Sequence, residues 1–410
     1  MNAAPATLLI YAPVPLHRRD GALCLEDQAC DGLRLWLDHF DRLILLIPES
    51  AAPAPPAWVP LDRIGPALER IEIVTLPEAW RPDRFLRALP RALPRIRDAI
   101  GRADFLGFAI GGLMGDWGSA GAWAAHRMGK PFFIWTDRVE SEVVARTLHA
   151  MPWRRRLKAR AELPLMRWNE RALIRRAALG LFHGQETYDT YAPFSRNPHV
   201  VHDIHLAPED RIGAEALAAK IANAGDGPLR IVYAGRAEAM KGAQDWVAVL
   251  EALAARGVDF TATWLGDGPE RAAMAARVAA GPLNGRVALP GFLNDRQGLL
   301  TALRQAHVLL FCHLTPESPR VLIEALVSAC PILGYGSAFP EDLIARHGGG
   351  VLVPVGERAA LAETLAAVAE SRARLADLIT RAARDGEGFD GPTVFAHRAE
   401  LIHKHLPRAR

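Results

Sequence analysis

Apolar runs of strand length recur along the whole chain, each followed by an amphipathic stretch of helical length, and this alternation leaves few folds open. In the first half the runs fall at 7–11, 42–47, 71–76, 105–109, 131–135 and 179–183. The second half repeats them at 229–234, 260–265, 286–289, 307–311, 331–334 and 350–353. Short continuous runs of this kind suit strands covered on both faces, so the helices are expected to sandwich parallel sheets. The expected fold class is α/β, with two Rossmann-like, doubly wound units, since 410 residues exceed what one core usually organises. Between them, 207–228 carries a charged helical piece ending in Gly225-Asp226-Gly227-Pro228, a combination that stops helices and makes turns. A second break at 386–392 precedes a helix-like stretch at 393–406 with no sheet to cover in its own unit. The expected division is 1–206, 207–390 and a C-terminal helix within 391–410 that packs back toward the first domain.

Composition narrows the class of partner. Lysine and arginine number 49 against 46 aspartates and glutamates, so no global positive field marks a nucleic-acid binder. Cys24, Cys30, Cys312 and Cys330 sit at no zinc-ligand or CxxC spacing and are expected to be reduced thiols. The N-terminus lacks a basic segment followed by an apolar core, and no run approaches the roughly 20 apolar residues that span a bilayer. A cytoplasmic location follows as the expectation, with any membrane contact peripheral.

Chemistry concentrates in loops that follow strands of the second half. After 229–234 come Gly235-Arg236, and Lys241-Gly242 opens the helix that carries Trp246, Leu250 and Leu253 on one face. Two cations beside a glycine-loosened loop and free helix amides suit a diphosphate, although two solvated charges near a turn would read the same way. Gly266-Asp267-Gly268-Pro269 is a tight turn after the next strand, able to bring backbone close to a ligand. Farther on, Glu317-Ser318-Pro319-Arg320 leads into an apolar helix of Val321, Leu322, Ile323, Ala325 and Leu326 that also holds Glu324. Proline near a helix start and free amides pointing backward form a second phosphate cradle. A carboxylate in such a helix needs hydrogen-bond donors, which sugar hydroxyls supply and a cap or salt bridge supplies equally.

Taken in order, GR-x4-KG, GDGP, the turn at Gly291-Phe292-Leu293, the acidic pair and Gly348-Gly349-Gly350 resemble the donor domain of retaining GT-B glycosyltransferases of family 4, over about 229–365. The resemblance implies two domains facing across a nucleotide-sugar cleft. It gives Arg236 and Lys241 the diphosphate, assisted by the amides of Arg320, Val321 and Leu322, with Gly235, Gly266 and Ser318 also at the donor. Glu324 would take the ribose, Phe292 and Leu293 the base, and Glu317 the donor sugar. No metal or other cofactor is implied, because side chains and helix dipoles do the neutralising. One departure stands out: the family's glutamates are separated by seven residues, whereas six lie between Glu317 and Glu324.

The first half resembles the family mainly in architecture. Asp20-Gly21 follows Pro13-Val14-Pro15 where relatives show a glycine pair, and Gly21 would let a helix amide approach donor phosphate or acceptor. Asp20 is grouped with the acceptor. The glycine-rich loop 111–121 holds Asp116 and Trp117, suitable as a carboxylate and aromatic platform for an acceptor sugar, or as a helix-start turn with a packed tryptophan. Asp137 stands where many relatives carry a histidine that contacts the donor sugar. It would accept a sugar hydroxyl or stabilise positive charge at the anomeric carbon, the other reading being a loop ion pair with Arg138. In 153–168, Trp153 is followed by three arginines, Leu157, Lys158 and Arg160, then Leu163, Leu165, Met166 and Trp168. That pattern suits either an anionic membrane surface or a charged solvent-facing helix.

By resemblance, the implied activity is transfer of a hexose, with retention, from a nucleotide-diphosphate sugar to a saccharide or lipid-linked saccharide acceptor in bacterial surface-polysaccharide synthesis. A UDP-sugar is slightly preferred to GDP-mannose, and the departing phosphate takes the acceptor proton. The rivals are a GT-B epimerase, which would alter the sugar without an acceptor, a phosphorylase, and a non-catalytic two-domain sugar-binding protein. An oxidoreductase is disfavoured because neither half opens with G-x-G-x-x-G.

Overall fold

The computed structural model describes residues 5–408 except 56, 57, 149, 150, 205, 226, 294 and 316. Asp226, in the expected boundary turn, lies outside the described residues. The chain divides into two compact units, Met1–His205 with Gly391–Arg410, and Leu206–Asp390.

The first unit holds β1 (Thr7–Tyr11), β2 (Leu16–Arg19), β3 (Ala22–Glu26), β4 (Arg42–Pro53), β5 (Trp58–Pro60), β6 (Ile71–Pro77), β7 (Phe105–Ala109), β8 (Phe133–Thr136), β9 (Leu179–His183) and β10 (Pro198–Val201). Its helices are α1 (Asp27–Leu37), α2 (Pro82–Arg102), α3 (Trp117–Arg127), α4 (Glu140–Thr147), α5 (Trp153–Arg176), α6 (Gly184–Tyr191) and, from the C-terminus, α15 (Gly391–His405). The parallel part of the sheet runs β6-β4-β1-β7-β8-β9-β10. Strand order reverses beside β1, so loops after β1 and β7 splay apart and open a crevice at their carboxyl ends. Helix α15 closes the core on the far side, where Phe395 meets Trp36 of α1 at 4.9 Å and His403 stacks on Phe40 at 5.0 Å.

The first unit also contains a hairpin that the strand-and-helix rhythm does not anticipate. β2 pairs antiparallel with β3, joined by Asp20 and Gly21 at φ 51° and 84°. Two consecutive left-handed residues make the tight turn whose twist matches its strands, and Asp-Gly is a favoured pair for it. β3 in turn pairs with β5, and the end of β4 runs on past the core to meet β2.

The second unit holds α7 (Ala214–Ala222), β11 (Leu229–Ala234), α8 (Ala243–Ala255), β12 (Phe260–Leu265), α9 (Arg271–Ala280), β13 (Val287–Gly291), α10 (Arg296–Gln305), β14 (Val308–Phe311), α11 (Arg320–Val327), β15 (Ile332–Tyr335), α12 (Ala338–Ile344), β16 (Gly350–Val353), α13 (Arg358–Glu370) and α14 (Arg372–Asp385). Its sheet, all parallel, runs β13-β12-β11-β14-β15-β16. β14 and β15 are buried throughout, as strands covered on both faces must be. The reversal lies between β11 and β14, which puts the loop carrying Arg236 and Lys241 beside the loop carrying Glu317.

Candidate functional site

Three loops meet at the carboxyl ends of β11, β12 and β14, and backbone contact holds them together. The amide of Gly235 donates to Leu265 O at 2.9 Å, that of Ala237 to Asp267 O at 2.9 Å, and that of Leu314 to Met240 O at 3.0 Å. Gly266 is packed so closely on Gly235 that a Cβ there would lie 1.9 Å from the Gly235 carbonyl oxygen. Helix α8 is fixed from behind by Asp245, which accepts from Tyr335 Oη at 2.8 Å and pairs with Arg358 at 2.6 Å. The first amides of α8 have no carbonyl a turn earlier within the helix, so they face the loop cluster as donors.

At the reversal point Lys241 Nζ pairs with Glu317 Oε2, and His313 Nδ1 lies 3.1 Å from the same oxygen. On its other side the imidazole is bonded through Nε2 to the hydroxyl of Tyr233 at 2.6 Å. Burial pushes the Glu317 carboxyl up, but His313 and Lys241 outweigh it and hold the pKa below the usual range. Burial pushes His313 below the ordinary imidazole value, partly offset by Glu317, which favours the neutral ring. Sequence reasoning singled out neither His313 nor Tyr233; the signal was a polar residue two positions past a strand end at a sheet reversal.

The remaining donor-side residues are placed unevenly around this centre. Arg236 extends into solvent, with 72% of its side chain exposed, and pairs with Glu238 at 2.7 Å. Lys241 is therefore the cation held at the centre, and Arg236 stands at its edge. Helix α11 starts after Pro319, and the Leu322 amide already donates to the Pro319 carbonyl at 3.1 Å. This corrects the expectation that three amides point outward, because a helix start tightened in that way uses its third. Val321 and the side chain of Leu322 are core residues, Ser318 is half-buried and Arg320 is exposed. Among the described residues no hydrogen bond or ion pair reaches the Glu324 carboxylate, whose pKa is raised by burial against the pull of Arg296 and Arg320. Phe292 and Leu293 are exposed beyond β13.

In the first unit a cavity of about 410 Å³ opens at the ends of β1, β7 and β8, lined in part by Tyr11, Trp80, Asp116, Trp135, Thr136 and Asp137. The hydroxyls of Tyr11 and Thr136 are buried with no hydrogen-bond partner among the described residues. Asp116 caps α3 and is fully engaged, accepting from Gly111 N at 3.0 Å, Gly118 N at 2.9 Å and Ser119 Oγ at 2.5 Å. Burial raises its pKa to about 6, against the lowering by those bonds. Asp137 is exposed, and Arg138 pairs with Glu140 at 2.7 Å.

Two expectations for the first unit are overturned locally. Trp117 is 1% exposed and its indole donates to Pro77 O at 2.9 Å, so it is a core residue and offers no aromatic face to a sugar. The tryptophans that line the cavity are Trp80 and Trp135, which sequence reasoning passed over. Gly21 is not at a helix start: with Asp20 it forms the exposed turn of the β2–β3 hairpin, and α1 begins only at Asp27. Both amides there belong to a turn, with no helix dipole behind them.

No group of three or more His, Cys, Asp or Glu side chains is placed to hold a metal ion among the described residues. No helix among them is long and apolar enough to cross a membrane.

Residues 216–385, which include Lys241, Glu317 and Glu324, match the family described as glycosyl transferases group 1. A 2-deoxystreptamine glucosyltransferase of Streptomyces kanamyceticus is 35% identical over 149 residues, 36% of this chain and 38% of the relative. The chain thus matches well under half the length of that relative. HepE of Anabaena, solved in complex with UDP, superposes with a TM-score of 0.64 at 15% identity, over 97% of this chain and 100% of that one. A glycosyltransferase from Rickettsia africae gives a TM-score of 0.64 at 12% identity, over 98% and 99% of the two chains. At that identity the likeness is one of fold: two parallel-sheet α/β units of the kind found in GT-B glycosyltransferases.

Proposed function

We propose that the chain is a GT-B glycosyltransferase that transfers a hexose, with retention, from a nucleotide-diphosphate sugar, a UDP-sugar ahead of GDP-mannose. The observation that carries this reading is the meeting of Lys241, Glu317 and the start of α11 at the strand reversal of the second unit, inside the segment that matches glycosyl transferases group 1. The preference for uridine is supported by HepE, solved with UDP and with UDP-glucose. In this reading Lys241, the α8 and α11 amides and, at the edge, Arg236 take the diphosphate without a metal. Glu324 accepts from ribose hydroxyls, Phe292 and Leu293 hold the base, and Glu317 meets the sugar. The departing phosphate carries away the acceptor proton, so no enzyme nucleophile is needed. The cavity of the first unit takes the acceptor, its unpartnered Tyr11 and Thr136 hydroxyls facing acceptor hydroxyls, with Trp135 as the apolar wall.

A thermal-shift panel of UDP, GDP, ADP and their sugars tests this. A ligand at a hundredfold its Kd stabilises by about 2.7 kcal/mol, a rise of roughly 5–10 °C for a unit of this size. Glu324→Gln is expected to shrink the shift given by the preferred nucleotide. In the unliganded protein, a carboxyl with a raised folded pKa costs nothing below its unfolded pKa and destabilises increasingly as pH climbs through the folded one. The amide should therefore raise unliganded stability at pH 8 more than at pH 5. A panel in which no nucleoside diphosphate moves the midpoint would reject the reading.

A lipid-linked acceptor in surface-polysaccharide synthesis, met at the inner face of a membrane, is supported by α5. Trp153, Leu157, Leu165 and Trp168 are 66%, 57%, 52% and 59% exposed on a helix rich in arginine and lysine. Bulky apolar side chains left in water among cations suit an anionic bilayer surface, where each cation contributes about 1 kcal/mol. The full chain is expected to co-float with vesicles containing a third anionic lipid and not with neutral ones, and Trp153→Ser with Trp168→Ser to abolish it. Equal recovery with both vesicle types would remove this part.

A further inference from the structure

We propose that His313, locked in orientation by Tyr233, is a positioning residue that holds Glu317 with its Oε1 directed at the sugar of the bound nucleotide sugar. The inference rests on the reading that the second unit binds such a donor, and it adds two residues to which nothing has assigned a role. Both contacts to Glu317, from Lys241 and from His313, fall on Oε2. Oε1 is left uncommitted among the described residues.

The imidazole has one defined way to lie. Glu317 Oε2, an acceptor, faces Nδ1, so the hydrogen of the neutral ring belongs on Nδ1, and Nε2 accepts from the Tyr233 hydroxyl across 2.6 Å. Nδ1 then faces Glu317 at 3.1 Å, slightly out of line for a full hydrogen bond. Rings close the relay off from water: Trp264 lies 4.2 Å from Tyr233 and Phe311 4.3 Å from His313, centroid to centroid. A polar chain sealed in this way is worth more as an orienting device than the same bonds in solvent. The loop is shaped around it as well, since a Cβ at Gly235 would sit 2.7 Å from the Tyr233 hydroxyl. When Lys241 turns toward a diphosphate, His313 remains as the anchor of the carboxylate. Lys241 then serves the phosphates and His313 the sugar.

Calorimetry on the full chain separates these roles, using UDP and UDP-glucose, or GDP and GDP-mannose if the wild type prefers guanosine. The quantity read is the ratio of the two affinities, the increment due to the sugar. His313→Gln keeps a polar atom toward Tyr233 and loses the donor toward Glu317; the increment is expected to fall about tenfold, the size of a lost charge-assisted bond, with nucleoside diphosphate affinity within about twofold. His313→Asn, which can place an amide NH where Nδ1 was, is expected to keep most of the increment. Tyr233→Phe removes one oxygen from an unchanged ring, so it carries the test if His313→Gln does not fold, and a loss of severalfold is expected. An unchanged increment in His313→Gln, or equal losses for nucleotide and nucleotide sugar, would overturn the proposal. Wild-type protein that binds the nucleotide with no gain from the sugar overturns it too, yet leaves nucleotide binding standing. Failure to bind any nucleoside diphosphate would instead bring down the donor reading beneath it.

Discussion

Lys241→Ala is expected to lower kcat/KM for the preferred nucleotide sugar by about 10²–10³, the cost of removing one preorganised group from developing negative charge. Among the described residues no other ammonium or guanidinium pairs with Glu317. Arg236 lies out in water on Glu238, where an ion pair contributes about 1 kcal/mol or less, so Arg236→Ala is expected to cost only about tenfold. The two cations, equivalent in the sequence motif, are thus separated by their surroundings. Lys241 also neutralises Glu317, and its loss leaves that half-buried carboxylate with His313 alone. A cycle with Glu317→Gln resolves the two effects. If the residues act through each other, the double variant should fall short of the summed losses by about 1 kcal/mol or more. Release of nucleoside diphosphate from the donor measures the rates, and Lys241→Ala within about twofold of wild type would remove the residue from the mechanism.

The parts of this site that could be read in the sequence are those set by backbone periodicity. Strand runs followed by amphipathic helices fix where each sheet ends, and loops at sheet ends are where Gly235, Lys241, Gly266 and Glu317 sit. What could not be read depends on contacts between segments far apart in the chain. His313 and Tyr233 are separated by 80 positions, and neither carries a local signature; only the pairing of β11 with β14 brings them together. The same cause misplaced Trp117. A tryptophan in a glycine-rich loop looks available, but its indole is consumed by Pro77, 40 residues earlier, while Trp135 comes to line the cavity. Asp20-Gly21 went astray for the opposite reason. It carries a strong local hairpin signal, and analogy with a helix start overrode the turn chemistry that the two residues spell out.

Gly242→Ala is expected to destabilise the second unit by about 3 kcal/mol or more, well beyond a neighbouring control. Gly242 caps the start of α8 at φ 68°, and a Cβ there would lie 1.8 Å from the Cys312 carbonyl oxygen. A left-handed alanine alone costs about 1–2 kcal/mol. Forcing apart packed backbone adds about 1–3 kcal/mol more. Gly257, just past the far end of the same helix, also adopts a positive φ, 75°, but an added Cβ would meet nothing within 4 Å. Gly257→Ala therefore pays the first cost without the second and isolates the steric one. Denaturant midpoints of the two variants measure the gap, and equal losses would show that the contact with Cys312 relaxes freely. The contact also bears on the site, because Gly242 adjoins Lys241 and Cys312 adjoins His313. Any shift that relieves the clash must part the two loops that bring Lys241 and His313 to one carboxylate oxygen. Gly242→Ala should thus lose nucleotide-sugar affinity even at temperatures where it stays folded, whereas Gly257→Ala should keep it.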